Sequence, residues 1–412
     1  MIASRPSPVG LTPERPCRVL IYSHDTFGLG HLRRARTIAA AIVQGGVAQA
    51  VIVSGSPVLD RFAPTPGVST VAVPPVTKRP DGAYASLDPA IPLEETVAAR
   101  RAIILRTFDA FRPHLVLVDK EPAGFHGEML PVLERAAERG CRPVLGLRDV
   151  LDDPAWLAAE WARKGAGAVL ERFYDEVWVY GVPRLHRPLA GLGLVPEVEE
   201  RLIYTGYLRR ALPRPDPARR EPALADGPFL LVTPGGGGDG AALIDWVIAA
   251  YETDPGIPLP ALVAFGPFLD ASVRADFLAR IGRLPGRLAA ITFDAQIEFL
   301  IGKAAGVVAM GGYNTFCEIL SFDRPALLVP RTEPRREQEI RARSAETLGL
   351  VRVLAQAGGR TPERMAAALR TLPDQPPPSR VVLPGLLDGL GVVADRVRAL
   401  SAGRPLSVAE AL

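Results

Sequence analysis

A histidine stands at the end of a glycine-rich loop near the start of the chain. Residues 23–31 read Ser-His-Asp-Thr-Phe-Gly-Leu-Gly-His, and a helical pattern begins at Leu32. Gly28 and Gly30, between a strand and a helix, let backbone N–H groups approach an anion, which the helix dipole also attracts. His31 would then face the carboxyl edge of the sheet, where open α/β folds bind ligands. The alternative is a tight turn that His31 merely caps.

A second glycine-rich loop follows the first strand of the second half of the chain. Residues 232–240 read Val-Thr-Pro-Gly-Gly-Gly-Gly-Asp-Gly, and three of these glycines match the G-x-G-x-x-G pattern of dinucleotide sites. That pattern needs an acidic residue at the end of the next strand, where this chain has Phe265-Gly266-Pro267. A dehydrogenase is therefore disfavoured, and four consecutive glycines before a helix favour a phosphate or diphosphate cradle over a flexible turn.

A third loop, at residues 310–318, combines glycines with polar side chains. Gly311 and Gly312 expose backbone donors, and Asn314 is a favourable N-cap for the helix that follows. We expect Glu318 in the first turn of that helix, where its carboxylate can accept both hydroxyls of a ribose while the helix terminus faces a diphosphate. Alternatively, Glu318 only complements the helix dipole.

Further polar residues stand at expected strand ends and helix starts. Glu337 and Gln338 open a helix and could bind sugar hydroxyls, or could form a solvated helix start. In the first half, polar runs that end two strands could face a substrate, with solvated loops as an equally weighted alternative. These residues are Asp119, Lys120, Glu121 and Arg148.

The composition is close to that of ordinary soluble proteins, and the length suits two or three domains. The chain has 412 residues, of which 48% are hydrophobic and 23% charged, and its formal net charge is +3. These values exclude wholesale disorder and a fibrous architecture. No apolar run reaches the roughly 18 residues that a membrane helix needs, and the run after Arg18 is too short for a signal peptide, so we expect a cytoplasmic location.

The cysteines and the basic residues argue against disulfides, a cysteine zinc site and a nucleic-acid partner. The three cysteines lie far apart and form no Cys-x-x-Cys, which predicts neither a disulfide framework nor a cysteine zinc site. Only four of the 48 basic residues are lysines. No basic stripe with interleaved aromatic residues is present, so we expect no nucleic-acid partner.

These residues are positioned by strands and helices that alternate along the whole chain, a pattern that predicts parallel α/β sheets. In the first half, strands are predicted at residues 17–23, 50–54, 115–119, 143–147, 176–180 and 202–205, and helices at 32–43, 93–111, 129–139 and 155–173. In the second half, strands are predicted at 229–233, 261–265, 289–293, 307–310, 326–330 and 351–354, and helices at 241–251, 296–303, 337–348 and 386–401.

A proline-rich segment at residues 211–228 interrupts this alternation and is predicted to be a linker. The chain is therefore predicted to form two Rossmann-like, doubly wound domains. Their bounds are a flexible N-terminus at 1–16, a first domain at 17–208, a linker at 209–228, a second domain at 229–382 and a C-terminal helical segment at 383–412.

Taken together, the three loops resemble the motifs of the MurG-like group of GT-B glycosyltransferases, in glycosyltransferase family 28. The third loop is the most specific match, because its glycines, Thr315 and Glu318 are followed at the family's spacing by a proline-rich strand and Gln338. The resemblance implies two Rossmann-like domains with an interdomain cleft. It also implies that the C-terminal helix packs back on the first domain.

The resemblance implies a role for each motif. His31 would be the general base, with Asp25 as the second candidate. Gly28, Gly30, Lys120, Glu121 and Arg148 would lie on the acceptor side. Glu318 would hold the ribose, Glu337 and Gln338 the donor hexose, the loop at Phe293 the base, and Arg209 or Arg210 the diphosphate. The donor-binding residues are Gly235, Gly236, Gly237, Gly238, Phe293, Gly311, Gly312, Asn314, Thr315, Glu318, Glu337, Gln338 and Arg210.

The implied reaction moves a hexose from a nucleotide sugar to a hydroxyl acceptor with inversion. The expected donor is a UDP-sugar of the N-acetylhexosamine type, and the acceptor is a small molecule or a lipid-linked one. No cofactor is expected, and because the chain has no Asp-x-Asp, no metal is expected. Residues 74–92 could form a lid that faces the acceptor or the membrane, or could simply cover the cleft. A peripheral contact with the inner face of the membrane is one expected partner interaction. The rival hypotheses are a nucleotide-sugar 2-epimerase of the same fold and a non-catalytic nucleotide-sugar-binding subunit, and the oligomeric state is open.

Overall fold

The computed structural model describes residues 16–24, 30–44, 46, 48–61, 64–79, 83–235 and 238–401. Asp25, Gly28, Gly236 and Gly237 lie outside the described residues. The chain divides into two compact units. Unit 1 contains the described residues up to Leu208 together with those from Pro384 onward, and unit 2 is Arg209–Leu383.

Unit 1 is built on a seven-stranded parallel sheet in the order β3-β2-β1-β6-β7-β8-β9. Two of its inner strands, β6 and β8, are buried along their whole length, as expected for strands of a parallel sheet that is covered on both faces. The sequence did not predict β3 or the antiparallel hairpin β4-β5, because both are short and half exposed. The strands are β1 Cys17–Tyr22, β2 Ala48–Ser54, β3 Val68–Ala72, β4 Val76–Lys78, β5 Tyr84–Ser86, β6 Leu115–Asp119, β7 Arg142–Arg148, β8 Glu176–Tyr180 and β9 Leu202–Tyr204.

Helices alternate with these strands along unit 1. The prediction of a single helix at residues 155–173 is wrong. Gly165 adopts a left-handed conformation (φ 62°) and separates two helices. The helices are α1 Gly30–Val43, α2 Leu93–Phe111, α3 Leu130–Glu138, α4 Pro154–Lys164, α5 Ala166–Phe173 and α6 Pro196–Glu200.

Unit 2 has a six-stranded parallel sheet in the order β12-β11-β10-β13-β14-β15. The predicted pair of parallel α/β sheets is therefore confirmed. The strands are β10 Leu230–Thr233, β11 Ala261–Ala264, β12 Leu288–Ile291, β13 Gly306–Ala309, β14 Ala326–Leu328 and β15 Arg352–Val353. The helices are α7 Ala241–Thr253, α8 Ala271–Ile281, α9 Ile297–Lys303, α10 Tyr313–Ser321, α11 Glu337–Thr347 and α12 Pro362–Thr371. Within the described residues, none of the helices combines the length and the apolar character needed to span a membrane.

The last helix, α13 Gly389–Ser401, returns to unit 1 and packs against α1. Its Arg396 forms a buried ion pair with Glu176 of β8, donating from Nε to Oε2 over 3.2 Å. The indole Nε1 of Trp178 donates to the same carboxylate over 2.7 Å. Because both charged side chains are more than nine-tenths buried, each depends on the other for its charge to be compensated.

We predict that Arg396→Ala lowers the free energy of unfolding by about 3 kcal/mol, because it leaves Glu176 buried with one neutral donor. The matched control is Arg398→Ala, two residues along the same helix. Its pair with Asp395 is exposed, so its loss should cost less than about 0.5 kcal/mol. Denaturant unfolding followed by tryptophan fluorescence measures both, and equal effects of the two variants would contradict the prediction.

Candidate active site

In unit 1, the start of α1 and the end of β6 meet at the point where the strand order reverses, which is where open α/β sheets bind ligands. His31 is the second residue of α1, after Gly30, and Asp119 is the last residue of β6. His31 Nδ1 lies 2.5 Å from Asp119 Oδ2. Arg34, one turn further along α1, donates to Asp119 Oδ1 from Nε over 3.1 Å and from Nη2 over 2.5 Å.

The charges of this group follow from burial and pairing. Burial favours the protonated form of the Asp119 carboxyl, but the charges of Arg34 and His31 outweigh that effect and hold its pKa far below the usual range. Burial lowers the pKa of His31, and the opposing effect of Asp119 does not restore it. At neutral pH, Asp119 is therefore a carboxylate and His31 a neutral imidazole. With Nδ1–H donating to Asp119, Nε2 of His31 keeps a lone pair that can accept a proton.

A second neutral histidine lies beside the first. The ring of His24 packs edge-on against that of His31, with 5.7 Å between the ring centroids. Burial, together with the charge of Lys120, holds the pKa of His24 well below its ordinary value. Tyr22, beneath His24, donates its hydroxyl to Glu128 over 2.6 Å, and Glu128 forms a fully buried bidentate pair with Arg100. A rigid polar network therefore supports the two imidazoles.

In the sequence, Asp119, Lys120 and Glu121 form one polar run that was predicted to face a substrate, and the pairing of Asp119 with His31 was not predicted. Lys120 has a left-handed backbone (φ 70°) and lies 3.7 Å from the carboxylate of Glu121, which also accepts from Lys164 over 3.1 Å. Arg148 ends the next strand, β7. A carboxylate that ends an otherwise apolar central strand beside the reversal point was the available signal for Asp119.

In unit 2, the third glycine loop introduces α10, and two details of the prediction are wrong. The N-cap is Gly312, after Gly311, and Asn314 is the second residue of the helix. Asn314 instead uses its amide Oδ1 to accept from Arg210 Nη2 over 2.8 Å. Glu318 is the sixth residue, so it lies in the second turn, where it is buried. Thr315, one residue after Asn314, is half-buried on the same helix.

Burial distinguishes the two arginines at the start of unit 2. Arg209 is exposed, whereas Arg210 is buried and lies against α10. In addition to its contact with Asn314, the backbone N–H of Arg210 donates to Ser321 Oγ over 2.8 Å. Of the two, only Arg210 is held beside the start of α10 at the carboxyl edge.

Glu337 and Gln338 are the first two residues of α11 and both are buried. Arg331 donates from Nη2 to Glu337 Oε1 over 2.8 Å and from its backbone N–H to Gln338 Oε1 over 3.3 Å. It also pairs with Asp239, which follows the glycine-rich loop, over 3.1 Å. Glu337 Oε2 is buried and has no hydrogen-bond partner among the residues that the structure describes. This oxygen can therefore accept a hydrogen bond from a hydroxyl group of a ligand.

The remaining predicted donor residues lie on loops at the same edge of the unit 2 sheet. Gly235 begins the second glycine-rich loop two residues after β10, and Gly238 precedes α7. Phe293 follows β12 with 55% of its surface exposed. These loops leave backbone groups and an aromatic ring at the carboxyl edge, where an anion and a planar group can bind.

Comparison with known proteins supports the resemblance found in the sequence. Residues 231–378 match the family model of the glycosyltransferase family 28 C-terminal domain. A relative from Sorangium cellulosum (strain So ce56) is named UDP-N-acetylglucosamine--N-acetylmuramyl-(pentapeptide) pyrophosphoryl-undecaprenol N-acetylglucosamine transferase. It is 29% identical over 264 residues, which are 61% of this chain and 62% of the relative. The chain thus matches less than two thirds of that relative's length.

Two solved structures share the fold of the whole chain. A UDP-glucosyltransferase from Polygonum tinctorium superimposes with a TM-score of 0.63 at 16% identity, covering 97% of this chain and 98% of that one. MurG from Acinetobacter baumannii superimposes with a TM-score of 0.54 at 15% identity, covering 96% and 98%. At these identities the likeness concerns the fold alone, and it confirms the predicted GT-B architecture.

We predict that Asp119→Asn lowers the pKa of His31 further, because the carboxylate that favours the imidazolium is removed while the Arg34 guanidinium remains. NMR titration of the imidazole signals measures this change. His114, whose Nδ1 accepts from the backbone of Arg18 at the opposite end of the strands, is the internal control and should titrate as before. A His31 pKa that stays constant or rises would contradict the prediction.

Proposed function

We propose, from a second unit that carries a glycosyltransferase family 28 C-terminal domain, that the chain is a nucleotide-sugar-dependent glycosyltransferase. The observation that carries this proposal is the neutral His31 held by Asp119 at the carboxyl edge of unit 1. A transferase must deprotonate a hydroxyl of its acceptor, and a positioned neutral imidazole is suited to that step near neutral pH.

The donor is proposed to bind to unit 2. Backbone N–H groups of Gly235, Gly238, Gly311 and Gly312 are proposed to bind the diphosphate, together with the guanidinium of Arg210. Glu318 accepts the ribose hydroxyls, and the base lies at the loop of Phe293. Glu337 Oε2, which has no hydrogen-bond partner among the described residues, accepts a hydroxyl of the hexose beside Gln338. The name of the Sorangium relative favours a UDP-sugar of the N-acetylhexosamine type.

In the proposed step, the acceptor oxygen forms a bond to the anomeric carbon while the bond to the diphosphate breaks. His31 Nε2 takes the hydroxyl proton, and the imidazolium so formed is stabilised by the Asp119 carboxylate, which stays ionised. Attack from the face opposite the leaving group inverts the configuration. The nucleoside diphosphate leaves with its charge stabilised by Arg210 and backbone donors, without a metal ion.

The acceptor side is proposed to lie at the carboxyl edge of unit 1, where Lys120 and Glu121 follow Asp119 at the end of β6 and Arg148 ends β7. The printed name of the relative includes a pyrophosphoryl-undecaprenol group, which supports a lipid-linked acceptor and, with it, a peripheral location at the cytoplasmic face of a membrane. A small hydroxylated molecule is the other class to test. A panel of both classes with a UDP-sugar donor distinguishes them.

A nucleotide-sugar 2-epimerase would share the fold but needs no acceptor. Incubation with UDP-N-acetylglucosamine alone tests it, because epimerisation would change the sugar with no second substrate present. The described edge of unit 1 presents an imidazole backed by a carboxylate, an arrangement that we infer serves deprotonation of an acceptor hydroxyl.

We predict that His31→Ala lowers kcat by about 10²–10⁴-fold, because a positioned general base contributes a factor of that order. The dissociation constant of UDP, measured by calorimetry, should stay unchanged, since unit 2 binds the nucleotide. In the wild type, kcat/KM should fall with decreasing pH only below the ordinary histidine pKa of about 6.5, because burial lowers the pKa of His31. Turnover at the wild-type rate in His31→Ala would remove this residue from the mechanism.

We predict that Glu318 and Glu337 bind different parts of the donor, so that substituting them changes the affinities for UDP and UDP-sugar differently. Glu318→Ala should weaken binding of UDP and of UDP-sugar alike, by about tenfold, because a ribose contact is lost. Glu337→Gln should weaken only the UDP-sugar, because UDP has no hexose. Calorimetry with both ligands measures the difference.

The control for this pair is Glu339→Gln, on the same helix as Glu337, where the half-buried carboxylate pairs with Arg336. It should bind both ligands as the wild type does. Loss of UDP binding in Glu337→Gln would refute the hexose contact, and unchanged UDP binding in Glu318→Ala would refute the ribose contact.

A further inference from the structure

The proline-rich segment that was predicted to be a linker lies within unit 2, against the loop that follows β12. We call residues 212–221 the strap and residues 292–296 the base loop. The side-chain amide of Gln296 donates to the carbonyl of Arg214 over 2.7 Å. Its Oε1 accepts from the backbone N–H of Asp216 over 3.1 Å. One glutamine thus pairs with the strap backbone in both directions.

The second contact of the strap is made by Arg219. Its Nε and Nη2 donate to Asp294 Oδ2 over 3.2 and 2.9 Å. The guanidinium also lies over the ring of Phe299, 4.9 Å from the centroid, and its Nη1 donates to Glu221 over 3.0 Å. The other oxygen of Asp294, Oδ1, accepts from the backbone N–H of Gln296 over 2.8 Å. Asp294 therefore shapes the base loop with one oxygen and anchors the strap with the other.

The base loop is in turn connected to the glycine-rich loop. The N–H of Gly266, after β11, donates to the carbonyl of Thr292 over 3.0 Å. Gly266 has φ +86°, and a Cβ there would lie 2.7 Å from the carbonyl oxygen of Gly235, so only glycine fits between the two loops. Three segments at the carboxyl edge of unit 2 are thus packed in series: the strap, the base loop and the start of the glycine-rich loop.

We propose that the strap holds the base loop in the conformation that binds the nucleotide base, with Arg219 as a positioning residue. This inference rests on the proposed function, which assigns the base loop to the donor. A loop that follows an edge strand has neighbours on one side only, so without the strap it would sample several conformations, and binding would have to select one of them. Prolines at 213, 215 and 217 restrict the free conformations of the strap and lower the entropic cost of holding it in place.

The test is calorimetric and uses the full-length chain with two probes, UDP and inorganic pyrophosphate. Pyrophosphate resembles the part of the donor that the glycine loops bind and has no base. Arg219→Ala should raise the dissociation constant of UDP about tenfold, the loss expected for a charge-assisted pair, and leave that of pyrophosphate unchanged. Arg219→Lys keeps the charge but not the planar guanidinium, so its dissociation constant for UDP should lie between those of the wild type and Arg219→Ala.

The matched control is Arg220→Ala. Arg220 is exposed and its guanidinium contacts only strap carbonyls among the described residues, so both dissociation constants should equal those of the wild type. Asp294→Asn provides a second variant that weakens the same contact. It should also raise the dissociation constant of UDP and leave that of pyrophosphate unchanged.

The outcomes separate the two proposals. Equal losses for UDP and pyrophosphate in Arg219→Ala, or unchanged UDP affinity in both Arg219→Ala and Asp294→Asn, would overturn the positioning role while leaving the donor site in place. If the wild-type chain binds none of UDP, TDP, ADP and GDP, the proposed function fails, and the role of the strap fails with it.

Discussion

The contact of the buried Asp119 carboxylate with Arg34 and His31 is the interaction on which the arrangement of unit 1 depends. A lone carboxylate in that position would be strongly destabilising, so the chain must bring compensating charge and hydrogen-bond donors to the end of β6. It does so with one turn of α1, since residues three apart lie on the same face of a helix. The need to place Arg34 over Asp119 fixes the rotation of α1, and this rotation in turn presents His31.

The two units use the same position in their sheets for different chemistry. In each, part of the site lies at the pair of strands where the strand order reverses. In unit 1 these are β1 and β6, with His31 and Asp119, and in unit 2 they are β10 and β13, each followed by a glycine-rich loop. Unit 1 surrounds that position with buried side-chain charges and neutral imidazoles. Unit 2 supplies backbone donors from glycines and buried acidic side chains. Such a division suits the binding of a diphosphate in one unit and the movement of a proton in the other.

The sequence predicted most of the fold because parallel strands that are buried on both faces consist of short apolar runs, which are easily recognised between helical patterns. It also placed the three glycine loops, since glycines clustered at a strand-to-helix turn indicate a backbone that a neighbour or a ligand approaches closely. What it did not reveal depended on contacts between distant residues. Asp119 is 88 residues from His31, and Asn314 is 104 residues from Arg210. No local pattern links such pairs, so Asn314 was predicted to be an N-cap and the segment that contains the strap was predicted to be a linker.

The return of α13 to unit 1 has a consequence for the order in which the protein is made. Glu176 and Arg396 are separated by 220 residues, and the whole of unit 2 lies between them. At ribosomal rates of about 5–20 residues per second, roughly 10–40 s pass between synthesis of the two partners. Unit 2 therefore leaves the ribosome, and is free to fold, while unit 1 still exposes the surface that α13 covers. During that interval α1, β1 and β6 lack the helix that later packs against them.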